Sequence, residues 1–413
     1  MALQENVASR LAYKAYSSGL ITSNAEAVSA TDLGPSGAQV LRRVASTLQL
    51  RKDTYQSNEV REDRQIADFR HGIRRVSGDL EGELSPGTYW DLMEAVMRGT
   101  ASASITKTQA DFTSMAADNS LSTFTVGGST WAAQGFRVGD IIRPTGLSAT
   151  DNNNRNYTIL SLANDVATVY PAPTTMTADT TFSITRPGQK LTIPTTLGDF
   201  VKRKFAFEHY HQDIGVAELF TECRMSRMAC SLPATGLATV TFGVMGRNKE
   251  NYEASQAPFF AAPASAGTAG VTAAVNGLIM VDGVRQGVIT GIDFTLDLAS
   301  DAPAVAGQNY VPEIFLGRAN VSGTINALFE NLVLDDYFLD ETEIRLIVQL
   351  NTTSDADSPF LGFTFPRIKL GGADKALRGE AGLPISLPFQ ALIPPATTGV
   401  DQSTLVITDS LAA

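Results

Sequence analysis

Histidine and cysteine are scarce: three histidines and two cysteines among 413 residues. So few imidazoles leave little material for acid–base chemistry near neutral pH. Cys223 and Cys230 alone make no disulfide framework for a chain this long. No apolar run approaches the roughly 20 residues that span a bilayer. The start, M-A-L-Q-E-N-V-A-S-R-L-A-Y-K, lacks the basic-then-apolar layout of a secretory signal. These absences predict a soluble protein made in a reducing compartment. Basic side chains are also the minority, 32 against 43 acidic ones, for a net charge of −11. A protein that wraps nucleic acid must neutralise phosphates, so this balance argues against that role, though not against an acidic passage.

Catalytic signatures are missing as well. There is no G-x-x-x-x-G-K-[ST] loop, no Rossmann glycine pattern after a strand, no G-x-S-x-G elbow and no H-E-x-x-H helix. His209 and His211 share a strand face, with Cys223 and Cys230 downstream, and two nitrogens with two sulfurs suit tetrahedral zinc. The six-residue gap between the cysteines is wrong for the usual knuckle, so buried free thiols and two surface histidines are the preferred reading. The residues predict no enzyme and no cofactor or metal.

What is present is apolar content of 43% with 18% charged residues, enough to bury sizeable cores. At ~100–200 residues per domain, the length predicts about two to four domains. Residues 1–37 read as an arm, in which Leu3, Val7, Leu11 and Ala15 recur at four-residue spacing, as on a short amphipathic helix. From Val44 the period becomes two, with Val44, Ser46, Leu48 and Leu50 on one strand face. Residues 51–75 are densely charged with alternating sign, an exposed excursion that either stays solvated or docks on another subunit. Next, V-S-G-D-L-E-G-E-L sets Val76, Leu80 and Leu84 against Asp79, Glu81 and Glu83. Three carboxylates in a row repel one another and need a hydrated face. T-Y-W-D-L-M-E-A-V-M-R-G follows as a helix with a glycine stop.

Residues 102–190 carry short alternating runs separated by turn signals, the pattern of a small inserted β-barrel. Trp90 reads as core or interface, and Trp131 as the barrel's own core rather than a sugar-stacking platform. Residues 251–283 form a linker, its flexible part being the small-residue run 257–277. After it, the first pattern returns. I-D-F-T-L-D-L parallels the strand around Leu48, placing Asp293 and Asp297 on the polar face. N-V-S-G-T-I-N-A-L-F repeats R-V-S-G-D-L-E-G-E-L, Val321 matching Val76 and Gly323 matching Gly78. L-D-D-Y-F-L-D-E stands for the helix, E-I-R-L-I-V-Q-L for K-R-K-F-A-F-E, and F-P-R-I-K-L with G-L-P-I-S-L-P-F-Q for the closing pair. Pro384 and Pro388 predict a last strand at an edge or paired on one side only.

Residues 41–99, from L-R-R-V-A-S-T-L-Q-L through R-V-S-G-D-L-E-G-E-L-S-P-G to M-E-A-V-M-R-G, resemble the major tail tube proteins of long-tailed, siphovirus-type bacteriophages. F-R-V-G-D-I-I-R with Y-T-I-L-S-L is similar to the small barrel some of these proteins carry, and F-T-F-P-R-I-K-L is similar to the family's closing strands. The resemblance implies a mainly β fold with a few helices: two tandem tube modules (38–101 with 191–250, then 284–396), the inserted barrel 102–190 outside, and a tail 397–413. It implies a virion structural protein, assembled in the bacterial host cytoplasm, that self-assembles into stacked rings around viral double-stranded DNA. Asp79, Glu81, Glu83, Asp293 and Asp297 are the implied lumen residues, lining a channel that conducts DNA during ejection. Loop 51–75, with Arg61, Glu62, Asp63, Arg64 and Arg70, is the implied inter-ring contact. Two modules per chain imply a trimeric, pseudo-sixfold ring rather than a hexamer. Tape-measure, tail-terminator and distal tail proteins are the implied partners. The alternative is a β-rich glycan-binding adhesin or decoration protein.

Overall fold

The structure, a computed structural model, describes residues 4–16, 33–286, 288–375 and 382–412. It is mainly β, with two short α-helices among the described residues. Alternation builds its central sheet. In Phe69–Glu83, Val76 and Leu80 are buried while Asp79 and Glu81 face out. This strand pairs antiparallel with Gln49–Gln56 on one side and Thr239–Gly246 on the other. Thr239–Gly246 pairs with the second half of Val216–Pro233, and that with Ile289–Asp297. Asn320–Leu328, Pro384–Ala391 and the pieces Phe360–Leu370 and Asp374–Lys375 continue the sheet.

The register sorts the two faces in rows. Leu80, Phe242, Met228, Leu296 and Val321 stand opposite one another across five strands, each at most 2% exposed. One residue away, the row reads Asp79, Gly243, Arg227, Asp297 and Asn320. A one-residue slip would exchange these rows, so burial of the apolar face fixes the pairing. The strand order repeats across the middle of the sheet: strands 49–56, 69–83, 239–246 and 216–233 are followed by 289–297, 320–328, 384–391 and 360–375 in the same sense.

The apolar face is backed by helix Trp90–Met97, which buries Trp90, Leu92, Met93, Val96 and Met97 and ends where Arg98 turns left-handed at φ 57°. Each such side chain contributes about 1.5–3 kcal/mol by leaving water. Trp90 also donates its indole N–H to Gln189 at 2.8 Å. Helix Val333–Leu339 buries only Leu334, leaving Leu332, Val333 and Leu339 exposed.

Four expectations from sequence change here. Ser9–Tyr16 is a strand and not a helix: it pairs along its length with Lys204–His211, which satisfies its backbone, and Val7 lies exposed outside it. Leu3 and 17–32 fall outside the described residues. Val44 is 65% exposed and leaves the face that Leu48 shares with the core. The Pro384–Ala391 strand is paired on both sides. Its neighbour shifts register between Leu370 and Asp374, so the missing N–H of Pro388 falls at a break in the ladder. The run 257–277 is anchored, since Phe260 is fully buried, Ala264 bonds with Ala38 and Val40, and Thr272 with Leu84.

The described part of the C-terminal tail, 397–412, adds a strand to the sheet. Val406–Asp409 lies between Phe360–Leu370 and Gln189–Thr192. Residues 105–186 form a separate eight-stranded sheet around Phe112, Phe124, Trp131, Phe136, Tyr157 and Ile184. Its end strands, Ile105–Thr108 and Met176–Asp179, each pair with a single neighbour among the described residues, so hydrogen bonds do not close it into a barrel. Its two chain connections run side by side, with Ser102 and Lys190 exchanging N–H···O bonds of 2.8 and 3.0 Å.

Candidate channel and assembly surfaces

The polar face of the central sheet gathers carboxylates from both halves of the chain. Asp79, Glu81 and Glu83 project from strand 69–83, and Asp293 and Asp297 from strand 289–297, with two strands between them. The row that Glu81 begins is otherwise uncharged, leading through Thr241, Ala229, Thr295 and Ser322 to Gln390.

Arg227 also stands on this face, and sequence reading overlooked it. Its guanidinium holds both oxygens of Asp79 at 3.1 Å. The strand R-M-S-R-M-A-C-S-L-P carries the signal, because Met228, Cys230 and Leu232 face the core and therefore turn Arg227 outward. Ser231 donates to Asp293 at 2.5 Å, and the Ala299 N–H donates to Asp297 at 2.7 Å.

The charged excursion 51–75 is a long hairpin rather than a loose loop. Arg51–Gln56 extends one strand, Phe69 begins the other, and Ser57–Asp68 form the tip. Arg61, Glu62, Asp63, Arg64 and Arg70 are all exposed. The tip is organised locally: Arg61 pairs with Asp63 at 3.0 Å, and the Arg64 N–H donates to the Arg61 carbonyl at 3.2 Å with Arg64 at φ 56°. Arg70 pairs with Asp68 at 2.7 Å. Val60 and Ile66 are 99% and 66% exposed, which puts apolar surface at the tip.

The corresponding loop of the second half is folded down. Val311 and Ile314 pack with Ile73. Arg224 bonds to the Ile314 carbonyl, and Arg247 to that of Val311 at 2.7 Å. Glu222, buried and left-handed at φ 55°, pairs with Lys204 at 2.6 Å and Arg247 at 3.5 Å.

Other residues singled out from sequence lie apart from these surfaces. Cys223 and Cys230 are free and buried, and burial pushes both thiols up. His209 is half-buried, not a surface residue. It meets Ser46 Oγ at 2.8 Å and lines a cleft with His211, Asn6, Ser9 and Arg43. Burial lowers its pKa to about 4. Among the described residues, no three metal-capable side chains converge. Trp131 is wholly buried, with its N–H on the Asp165 carbonyl at 2.9 Å, so it presents no face to a sugar. No helix among the described residues is long and apolar enough to cross a membrane.

A family model described as phage tail tube protein matches residues 8–391. A search of curated proteins finds no match.

Proposed function

The chain belongs to the phage tail tube protein family, and from that premise we propose a tube of the siphovirus type built from two modules per chain. A structural role in the virion tail, by self-assembly with other tail proteins, follows from family membership. The observation that carries the finer reading is the repeated strand order. Two sets of four strands in the same sense make one sheet with an apolar back and a carboxylate-bearing front. Three such chains give six modules, and closing the sheets into one ring would remove edges that otherwise aggregate. Asp79, Glu81, Glu83, Asp293 and Asp297 then line the lumen, where double-stranded DNA slides because carboxylates give its phosphates no attraction. The hairpin tip around Arg61–Arg64 reaches the next ring, and the 105–186 sheet lies on the outside. Tape-measure, terminator and distal tail proteins bind the tube's lumen and ends.

Electron microscopy of the purified protein at high concentration tests this reading. Hollow tubes with threefold end-on views are expected. Sixfold symmetry of identical chains would refute the trimer, and monodisperse particles under every condition would count against the tube.

A further inference from the structure

The cleft beside His209 gathers two of the chain's three histidines around an arginine. It holds about 590 Å³ and has three walls: the chain at Asn6 and Ser9, the segment at Arg43 and Ser46, and the end of strand Lys204–His211. Pairing of the first wall with the third sets Ser9 opposite His211 and Leu11 opposite His209. The His209 ring is fixed in place, with Phe220 packed edge-on at 5.1 Å and Ser46 Oγ 2.8 Å from its Nε2.

The chain is acidic, 43 carboxylates against 32 basic side chains, yet none of the described residues lining this cleft is acidic. Arg43 is half-buried there. Its Nη2 donates to the Ser9 carbonyl at 3.3 Å and to the Ser9 hydroxyl, and among the described residues it has no carboxylate partner. Burial lowers its pKa, because a cation has left water without gaining an anion. The charge reaches its neighbour as well. Burial does most to lower the His209 pKa, Glu218 opposes it, and Arg43, His211 and Lys249 add to the lowering. Glu218 is itself taken up by Lys249 at 2.5 Å.

An oxyanion relieves an uncompensated cation in a concave site. A guanidinium takes phosphoryl oxygens in parallel pairs, and the His211 imidazole and the Asn6 amide supply further donors from the other two walls. Donors on three sides suit a tetrahedral phosphoryl group better than a planar carboxylate. Val7 and Val44, 93% and 65% exposed, add apolar surface to the same cleft.

We propose that this cleft binds a phosphate monoester, with Arg43, His211 and Asn6 on the phosphoryl group and Val7 and Val44 flanking the organic part. The inference goes beyond the tube reading and does not depend on it.

Three histidines give the full chain three imidazole signals, and His71, exposed on the hairpin, is the internal control. Phenyl phosphate, titrated into the unassembled chain and followed by NMR, should shift His209 and His211 and leave His71 in place. It should also raise the His209 pKa from about 4, since a nearby anion favours the charged imidazole. Benzoate and inorganic phosphate should each bind at least about tenfold more weakly. Either control binding as tightly overturns the assignment of a phosphate monoester. Equal shifts at all three histidines, or none at His209 and His211, overturn the site. Arg43→Gln should weaken phenyl phosphate at least about tenfold. Val44→Asp, which leaves the bond between Arg43 and Ser9 intact, should weaken it too. Either variant that melts like the parent and binds unchanged overturns the proposal.

Discussion

Arg227 reaches Asp79 across an intervening strand by lying over Gly243. The row runs Asp79, Gly243, Arg227, and a Cβ at Gly243 would stand 2.6 Å from Arg227 Cγ. The missing side chain is what lets the guanidinium span two strands and take both carboxylate oxygens at 3.1 Å.

Both partners are partly exposed, 45% for Arg227 and 37% for Asp79. Water screens such a pair, so its coupling should be about 0.2–1 kcal/mol. A double-mutant cycle of Arg227→Ala and Asp79→Ala, read by denaturant unfolding, checks this. A coupling above about 2 kcal/mol would mean the face is dry and cannot be a hydrated channel wall.

Replacing Arg61, Glu62, Asp63 and Arg64 together by serine should leave the melting curve unchanged, because their contacts are local and exposed. The variant should form rings or short stacks without elongating, as measured by tube lengths in micrographs. Tubes of normal length would remove the hairpin tip from the stacking contact.

Lys190 sits 5% exposed between Asp140 and Asp401, 2.9 Å from each, where the 105–186 sheet joins the rest of the chain. Lys190→Met strands a buried carboxylate and should cost about 3–5 kcal/mol. Adding Asp140→Asn and Asp401→Asn should recover much of the loss. A single variant as stable as the parent would show that water reaches the cluster.

The share of stability that His209 carries should fall as pH drops from 6.5 toward 4, because its imidazole titrates in that window. Burial lowers its folded pKa from 6.5 to about 4, with Arg43, His211 and Lys249 adding to the effect and Glu218 opposing it. The unfolded chain therefore binds more protons between these values, and the contribution, at most about 3 kcal/mol, is present above pH 6.5 and lost below. Asp409 acts in the opposite sense: burial raises its pKa from 3.8 to about 6, so its share of stability falls as pH rises through that range. His209→Gln should remove the acid-side loss and uncover the slope of Asp409. An unchanged pH profile would show that His209 is solvated.

Much of this architecture is legible in the chain. Alternation around Leu80 and Ile325 identifies strands and their faces, because a pleated strand must send every second side chain into the core. The Val-Ser-Gly sequences at 76 and 321 occupy equivalent positions in the sheet, and a second helix forms at 333–339, over the stretch that the repeat pairs with the helix around Trp90. The row parity that turns Asp79, Glu81, Glu83, Asp293 and Asp297 outward follows from the same rule, and it would have shown Arg227 too.

Where a segment's partner is distant, the sequence is silent. The four-residue spacing of Val7, Leu11 and Ala15 fits a helix as well as anything local can. The open edge of Lys204–His211, some two hundred residues away, makes the segment a strand instead. Pro388 argues for an edge until a register shift near Gly371 makes room for it between two neighbours. Small residues at 257–277 read as flexible, yet the hydrogen bonds of Ala264 and Thr272 tie that run to Ala38, Val40 and Leu84. Side-chain period is a property of the chain itself and survives in the sequence. Which backbone groups satisfy one another is a property of the assembled sheet, and only the tertiary structure decides it.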